Sequence, residues 1–178
     1  DDRTGKLLLL AIMRAADRGV RVRLLLDDWY LDEFKENTAA LARYPNIEIR
    51  VFNPFATRNQ PIFFRMANYI TEMNKLDRRM HNKALIADNQ LAVMGGRNLG
   101  DEYFDASADV NFRDMDILTA GPITARISSN FDKYWNSAES YPADALDFPA
   151  STSETRQRLR ENLQRHWQAV VASPVGHF

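Results

Sequence analysis

Between residues 81 and 98 the chain sets His81, Lys83, Asp88, Gly95, Gly96 and Asn98 at intervals that few folds can satisfy together. Lys83-Ala84-Leu85-Ile86-Ala87 and Leu91-Ala92-Val93-Met94 are two short apolar runs, and Asp88-Asn89 between them is turn chemistry. The spacing therefore predicts a β-hairpin. Side chains alternate along a strand, so His81 and Lys83 project from one face about 7 Å apart, near enough to touch one phosphate together. The returning strand brings Gly95-Gly96-Arg97-Asn98 back to the end where His81 lies. A neutral imidazole is a competent nucleophile, and an ammonium beside it supplies the charge that a phosphoryl oxygen needs in the transition state. By composition alone the pattern HxKxxxxD arises in about one such sequence in a hundred, and the glycine pair and Asn98 make accident rarer still. The competing reading is a charged edge strand with a solvated histidine and lysine.

A chain of 178 residues, 45% hydrophobic and 26% charged, is long enough for one ordinary domain with a sizeable core. The net charge of −1 gives no global field that argues for nucleic acid or an anionic bilayer. Arginine greatly outnumbers lysine, which suits phosphate recognition and equally fits simple codon usage. There is no cysteine, which removes disulfides and thiolate metal sites. The longest apolar run, Leu7 to Met13, is too short to span a bilayer, so any membrane contact is expected to be peripheral.

In chain order, Thr4 to Arg18 reads as a helix with Thr4 as cap and Gly19 as its left-handed stop, apolar nearly all round and so well buried. Val20 to Leu26 is a strand, Glu33 to Arg43 a helix and Ile47 to Phe52 a second strand, which together imply a right-handed crossover and a parallel pair. A helix that opens such a unit wants a strand before it, so Asp1 reads as a cut point. Ile62, Phe63, Phe64, Met66, Tyr69, Ile70 and Met73 fall at helical spacing. They suit either a lipid-facing element or, the commoner fate, a helix packed on the core; the polar face is not notably basic. Leu99 to Asp105 reads as a short acidic turn, Arg113 to Thr119 as a strand, and Pro122 as the opening of a helix through Trp135. Pro142 and Pro149 flank a linker, and Ser153, as cap, opens a polar helix to Ala172. The expected organisation is one α/β half-domain over 1–150, a mixed, mainly parallel sheet flanked by helices. A C-terminal helix and tail over 151–178 would lead to a second half. His166 reads as a partly buried helix residue and His177 as tail, which leaves His81 as the histidine with a site around it.

The motif resembles the signature of the phospholipase D superfamily. Arg79-Met80-His81-Asn82-Lys83, Asp88-Asn89-Gln90, Gly95-Gly96-Arg97-Asn98-Leu99-Gly100-Asp101-Glu102-Tyr103-Phe104 and Phe131-Asp132-Lys133-Tyr134-Trp135 look like the bacterial cardiolipin synthase C type. The resemblance implies the amino-terminal half of a two-motif phosphatidyltransferase, lacking its first strand, whose active site forms where the halves meet. It implies His81 as the nucleophile that forms a phosphohistidine, with Lys83 and Asn98 on the non-bridging oxygens. The N–H groups near Gly95 and Gly96 would form an anion nest. Superfamily members often carry Ser or Thr where Gly96 stands, so one side-chain hydrogen bond is missing here. Asp88 belongs to the motif, but its parity at the turn is opposite to that of His81 and Lys83, so it is expected to stabilise the hairpin. An acid should accept the Nδ1 proton of His81; Asp116 is the first choice and Asp114 the second. Arg97 is either a phosphate contact or solvated. No metal or other cofactor is expected. The implied partners are phospholipid donor and acceptor, a second motif-bearing half or a homodimer mate, and the cytoplasmic face of a bacterial inner membrane. Nucleic acid is disfavoured by the neutral charge. Two other classes stay open: a hydrolase of the same superfamily (phospholipase, phosphodiesterase or nuclease) with water as acceptor, and an inert half-domain that only pairs with a catalytic partner.

Overall fold

The computed structural model describes residues 3–28, 35–54, 79–146 and 148–173. The apolar stripe from Ile62 to Met73, Arg78 and His177 lie outside the described residues. Helix α1 (Arg3–Asp17) leads through Gly19, at φ 86°, into strand β1 (Val22–Asp27). Helix α2 (Lys35–Ala42) then connects to β2 (Ile47–Phe52), which pairs parallel with β1 from Val22↔Ile47 to Asp27↔Phe52. This is the crossover unit that the alternation of apolar runs and turn residues implies. Strand β3 (Lys83–Ala87), β4 (Leu91–Gly95) and β5 (Asp116–Ala120) form an antiparallel sheet in that order. Pro122 opens helix α3 (Pro122–Trp135) behind Gly121, at φ 80°.

The sequence reading needs three corrections here. Strand β6 (Ser140–Pro142), antiparallel to β2, was not expected, and the linker expected between Pro142 and Pro149 begins with a 3-10 turn, Ala143–Ala145, whose Ala143 is buried. Pro142 is tolerated because it closes the strand, where its missing N–H costs little. Of the four ladders only β1–β2 is parallel, so the sheet is mixed but not mainly parallel among the described residues. Helix α1 is also less enclosed than its leucine run suggests, since only Leu10, Met13 and Ala16 are fully buried.

One core fills the side of the first sheet that faces α1, α2 and the last helix, α4 (Ser153–Val171). Leu10, Met13 and Ala16 of α1 meet Ala40 and Leu41 of α2, Ile47 and Ile49 of β2, and Leu159 and Leu163 of α4. Helix α4 therefore shares the core of the residues before 150. Its cap is Thr152, one residue ahead of the expected Ser153; the Thr152 hydroxyl accepts from Thr155 N–H at 3.1 Å. Arg160 binds Asp17 at 2.8 Å, tying α4 to the end of α1.

Helix α3 lies on the other side and touches both sheets. Its Tyr134 ring meets Phe52 edge-on at 5.4 Å, and the Trp135 carbonyl accepts from Arg50 at 2.6 Å. Its Ser128 hydroxyl donates to the side chain of Asn89, at the tip of the β3–β4 hairpin. A cavity of about 250 Å³ is lined by Leu25 of β1, Ala84 of β3, Met94 of β4 and Phe131 and Tyr134 of α3.

Candidate active site

The hairpin forms as its sequence dictates. Gln90 N–H donates to the Ala87 carbonyl at 2.9 Å, and Asp88 and Asn89, the two central residues, have φ of 51° and 55°. Positive φ at both positions is the type I′ requirement that Asp and Asn meet at least cost. Asp88 is exposed at this turn, at the end of the hairpin away from Lys83.

At the other end, Lys83 pairs with Gly95 and Gly95 with Asp116. Residues directly opposite in antiparallel strands share a face, so Lys83 and Asp116 flank Gly95 on one side of the sheet. The next row on that side is Leu85, Val93 and Leu118. His81 precedes β3 and is exposed, and the Lys83 ammonium lies 2.9 Å from its Nδ1 and 2.9 Å from its carbonyl. The histidine and the lysine are thus in direct contact, closer than strand rise alone suggests.

The approach to His81 is anchored by its neighbours. Arg79 donates to Asp27 Oδ1 at 2.7 Å and to the Asn53 carbonyl at 3.1 Å, while Met80 N–H donates to Asp27 Oδ2 at 3.0 Å. Asp27 is the last residue of β1, so the carboxyl end of the parallel pair fixes the residues that lead into the motif. Both charges are mostly buried, 12% and 20% exposed, and removing either would strand the other at a cost of about 3–5 kcal/mol. Sequence reasoning missed this pair; its only signal is the Asp27-Asp28 stop at a strand end.

The glycine pair is needed for space. A Cβ on Gly95 would stand 1.9 Å from Asp116 Oδ1 and 2.8 Å from the Met115 carbonyl; one on Gly96 would stand 2.7 Å from Asp114 Oδ2. Asp114 therefore occupies the place that a serine or threonine at 96 would claim. Gly95→Ala is expected to destabilise the protein by about 1–3 kcal/mol, since Asp116 can swing aside but the backbone carbonyl cannot. Urea denaturation measures this, and a loss below about 0.5 kcal/mol would mean that the strands part without cost.

Arg97 is turned largely toward the protein, with 26% of its side chain exposed. Its Nη1 donates to the Tyr103 carbonyl at 2.8 Å, its Nη2 to the Asp114 carbonyl at 2.9 Å, and its Nε is 2.9 Å from Asp116 Oδ2. The last contact is an ion pair lying off the N–H direction, so Asp116 is held by charge more than by a directed bond. The Phe104 ring lies 5.1 Å from the guanidinium. Asp116, the expected orienter of His81, is thus engaged with Arg97, and the Nδ1 that it was to serve faces Lys83. Asn98 donates from Nδ2 to the Tyr103 hydroxyl at 3.0 Å, a partner that the sequence reading did not name.

His166 is half-buried on α4. Burial pushes its pKa below the ordinary histidine value; Lys6 and Arg3 act in the same direction and Asp101 opposes them. Its surroundings are therefore the first turn of α1, where Asp101 also accepts from the Thr4 N–H and hydroxyl at 2.9 and 3.0 Å.

An α/β layer carrying this hairpin matches a known family. Residues 4–135 fit the family described as cardiolipin synthase, PLD-like domain, and the chain belongs to that family. Cardiolipin synthase C of Escherichia coli (strain K12) is 40% identical over 160 residues, covering 89% of this chain and 33% of that protein. Cardiolipin synthase A of Pseudomonas entomophila (strain L48) is 30% identical over 138 residues, 76% of this chain and 26% of that protein. The chain thus spans about a third or less of the length of these relatives. Among solved structures, phosphatidylserine synthase from Haemophilus influenzae Rd KW20 aligns with 97% of this chain and 43% of its own, at 14% identity and a TM-score of 0.39.

Proposed function

We propose that this chain is one half of a two-motif phosphatidyltransferase that works through phosphohistidine in phospholipid synthesis, the product being cardiolipin. The observation that carries this reading is the contact between the Lys83 ammonium and His81 Nδ1 at the open end of a hairpin whose return strand presents two glycines. Membership of a family described by cardiolipin synthase, and relatives that bear that name, support the substrate class.

The ammonium against Nδ1 makes that nitrogen an acceptor, which leaves the imidazole proton on Nε2. A nucleophilic Nε2 needs the other tautomer. A phosphodiester supplies the means, because its non-bridging oxygens attract Lys83 away from Nδ1. The imidazole then gives its Nε2 proton to solvent and takes one at Nδ1, where a carboxylate accepts it in a hydrogen bond and leaves the Nε2 lone pair free. Asp116, across Gly95 on the same face and held only by charge to Arg97, is the first choice, with Asp114 the second. The lone pair of Nε2 forms the P–N bond while the P–O bond to the first alcohol breaks and its oxygen takes a proton from a general acid. An acceptor alcohol then returns its proton to that acid as its oxygen attacks phosphorus and the P–N bond breaks. Lys83, the free N–H of Asn98 and the N–H groups at Gly95 and Gly96 stabilise the equatorial oxygens. Asp88 serves the turn.

Phosphatidyl substrates reside in a bilayer, so this reading includes peripheral contact with the inner face of the bacterial membrane. No described helix is long and apolar enough to cross a membrane. The test is to quench the full-length protein during turnover of a phosphatidyl donor labelled in its phosphate. An acid-labile, alkali-stable label on the peptide containing His81 is expected. Turnover with no such label would overturn the proposal.

A further inference from the structure

We infer that Tyr103 is a positioning residue that sets the Asn98 carboxamide for its phosphate contact, an inference that rests on the reaction proposed above. Tyr103 closes the 3-10 turn Asp101–Tyr103, and both ends of the residue are held. Its carbonyl accepts from Arg97, itself fixed by Asp116 and the Asp114 carbonyl. Its ring packs on Phe112 with centroids 5.1 Å apart, and Phe112 N–H donates to the Glu102 carbonyl at 2.6 Å, so the ring's neighbour is anchored to the same turn. The phenol oxygen is therefore the end of a rigid arm, and it accepts from Asn98 Nδ2 at 3.0 Å.

An asparagine amide otherwise rotates in a broad, two-fold well. Turned one way it offers N–H to an anion; turned the other way it offers an oxygen, which a phosphate repels. The bond to Tyr103 takes one N–H and fixes which way the second one points. Tyr103→Phe deletes this restraint and leaves the ring on Phe112.

The experiment is a double-mutant cycle in the full-length protein with Tyr103→Phe, Asn98→Ala and the pair, with kcat, KM and melting temperature measured for each. Tyr103→Phe is expected to lower kcat/KM about tenfold, through kcat more than KM, with melting unchanged. In the Asn98→Ala background the same change should have no further effect. An additive loss, or wild-type kinetics for Tyr103→Phe, would overturn the inference. The underlying reaction is checked separately by His81→Ala. If that variant still turns over, the phosphohistidine reading falls, while the cycle still decides whether Tyr103 acts through Asn98.

Discussion

Replacing His81 by alanine is expected to abolish phosphodiester turnover while the fold stays intact. His81 lies ahead of β3, exposed, with its Nδ1 against the Lys83 ammonium. Truncation removes no core: His81 is exposed and is not a member of the buried cluster around Leu10, Met13, Ile47 and Leu163. Arg79 and Met80, which anchor the approach through Asp27, are untouched. A surface change of this kind shifts stability by about 0.5 kcal/mol or less. The chemical loss is of another order. With the nucleophile gone, no P–N bond forms, and the remaining cations and N–H groups can only bind. Removal of a nucleophile whose partners act as a unit costs on the order of 10⁴-fold or more. The measurement is turnover of a reconstituted full-length His81→Ala protein beside its urea denaturation curve. Near-wild-type turnover with a normal curve would remove His81 from the mechanism.

The hairpin was legible in the sequence because everything it needs is local. Two apolar runs, an Asp-Asn turn that accepts positive φ, and a glycine pair all lie within 18 residues, and each constrains the next. The Gly121-Pro122 start of α3 was legible for the same reason. Strand β6 was not, because its pairing with β2 joins residues some 90 positions apart, and Pro142 argues against a strand in any local window. The fate of Arg97 was hidden likewise. Whether an arginine beside the glycine pair meets solvent or protein depends on Tyr103, in the 3-10 turn after β4, and on Asp114 and Asp116, which arrive with β5. Gly95 was expected in the site for its N–H alone, and the structure gives it a steric reason as well. Besides baring its N–H, it leaves room for a carboxylate that comes from the next strand. No periodicity records a clearance of that kind.

The 178-residue chain, as a monomer, is expected to be catalytically incompetent. Transfer through phosphohistidine requires a nucleophile and a general acid that protonates the departing alkoxide. In-line displacement puts the acid on the far side of the phosphorus from Nε2, so His81 cannot supply both functions in one step. Asp116 and Asp114 lie beside the glycine pair and are more useful in orienting His81. Lys83 is engaged with His81 and, on binding, with phosphate oxygens. His166 faces Arg3, Lys6 and Asp101 at the start of α1, and burial lowers its pKa, which works against its carrying a proton at neutral pH. The acid must then come from a second motif-bearing body, either the other half of a longer chain or a symmetry mate that offers its own His81 across a two-fold axis. Loss of a general acid costs about 10² to 10⁴ in rate, so the monomer should act near background. The test is to purify the chain, establish by light scattering that it is monomeric, and assay cleavage of a phosphodiester. Adding the remaining part of the parent protein, or forcing dimerisation, should restore activity. Robust turnover by the monomer would refute the two-body mechanism and return His166 to consideration as the acid.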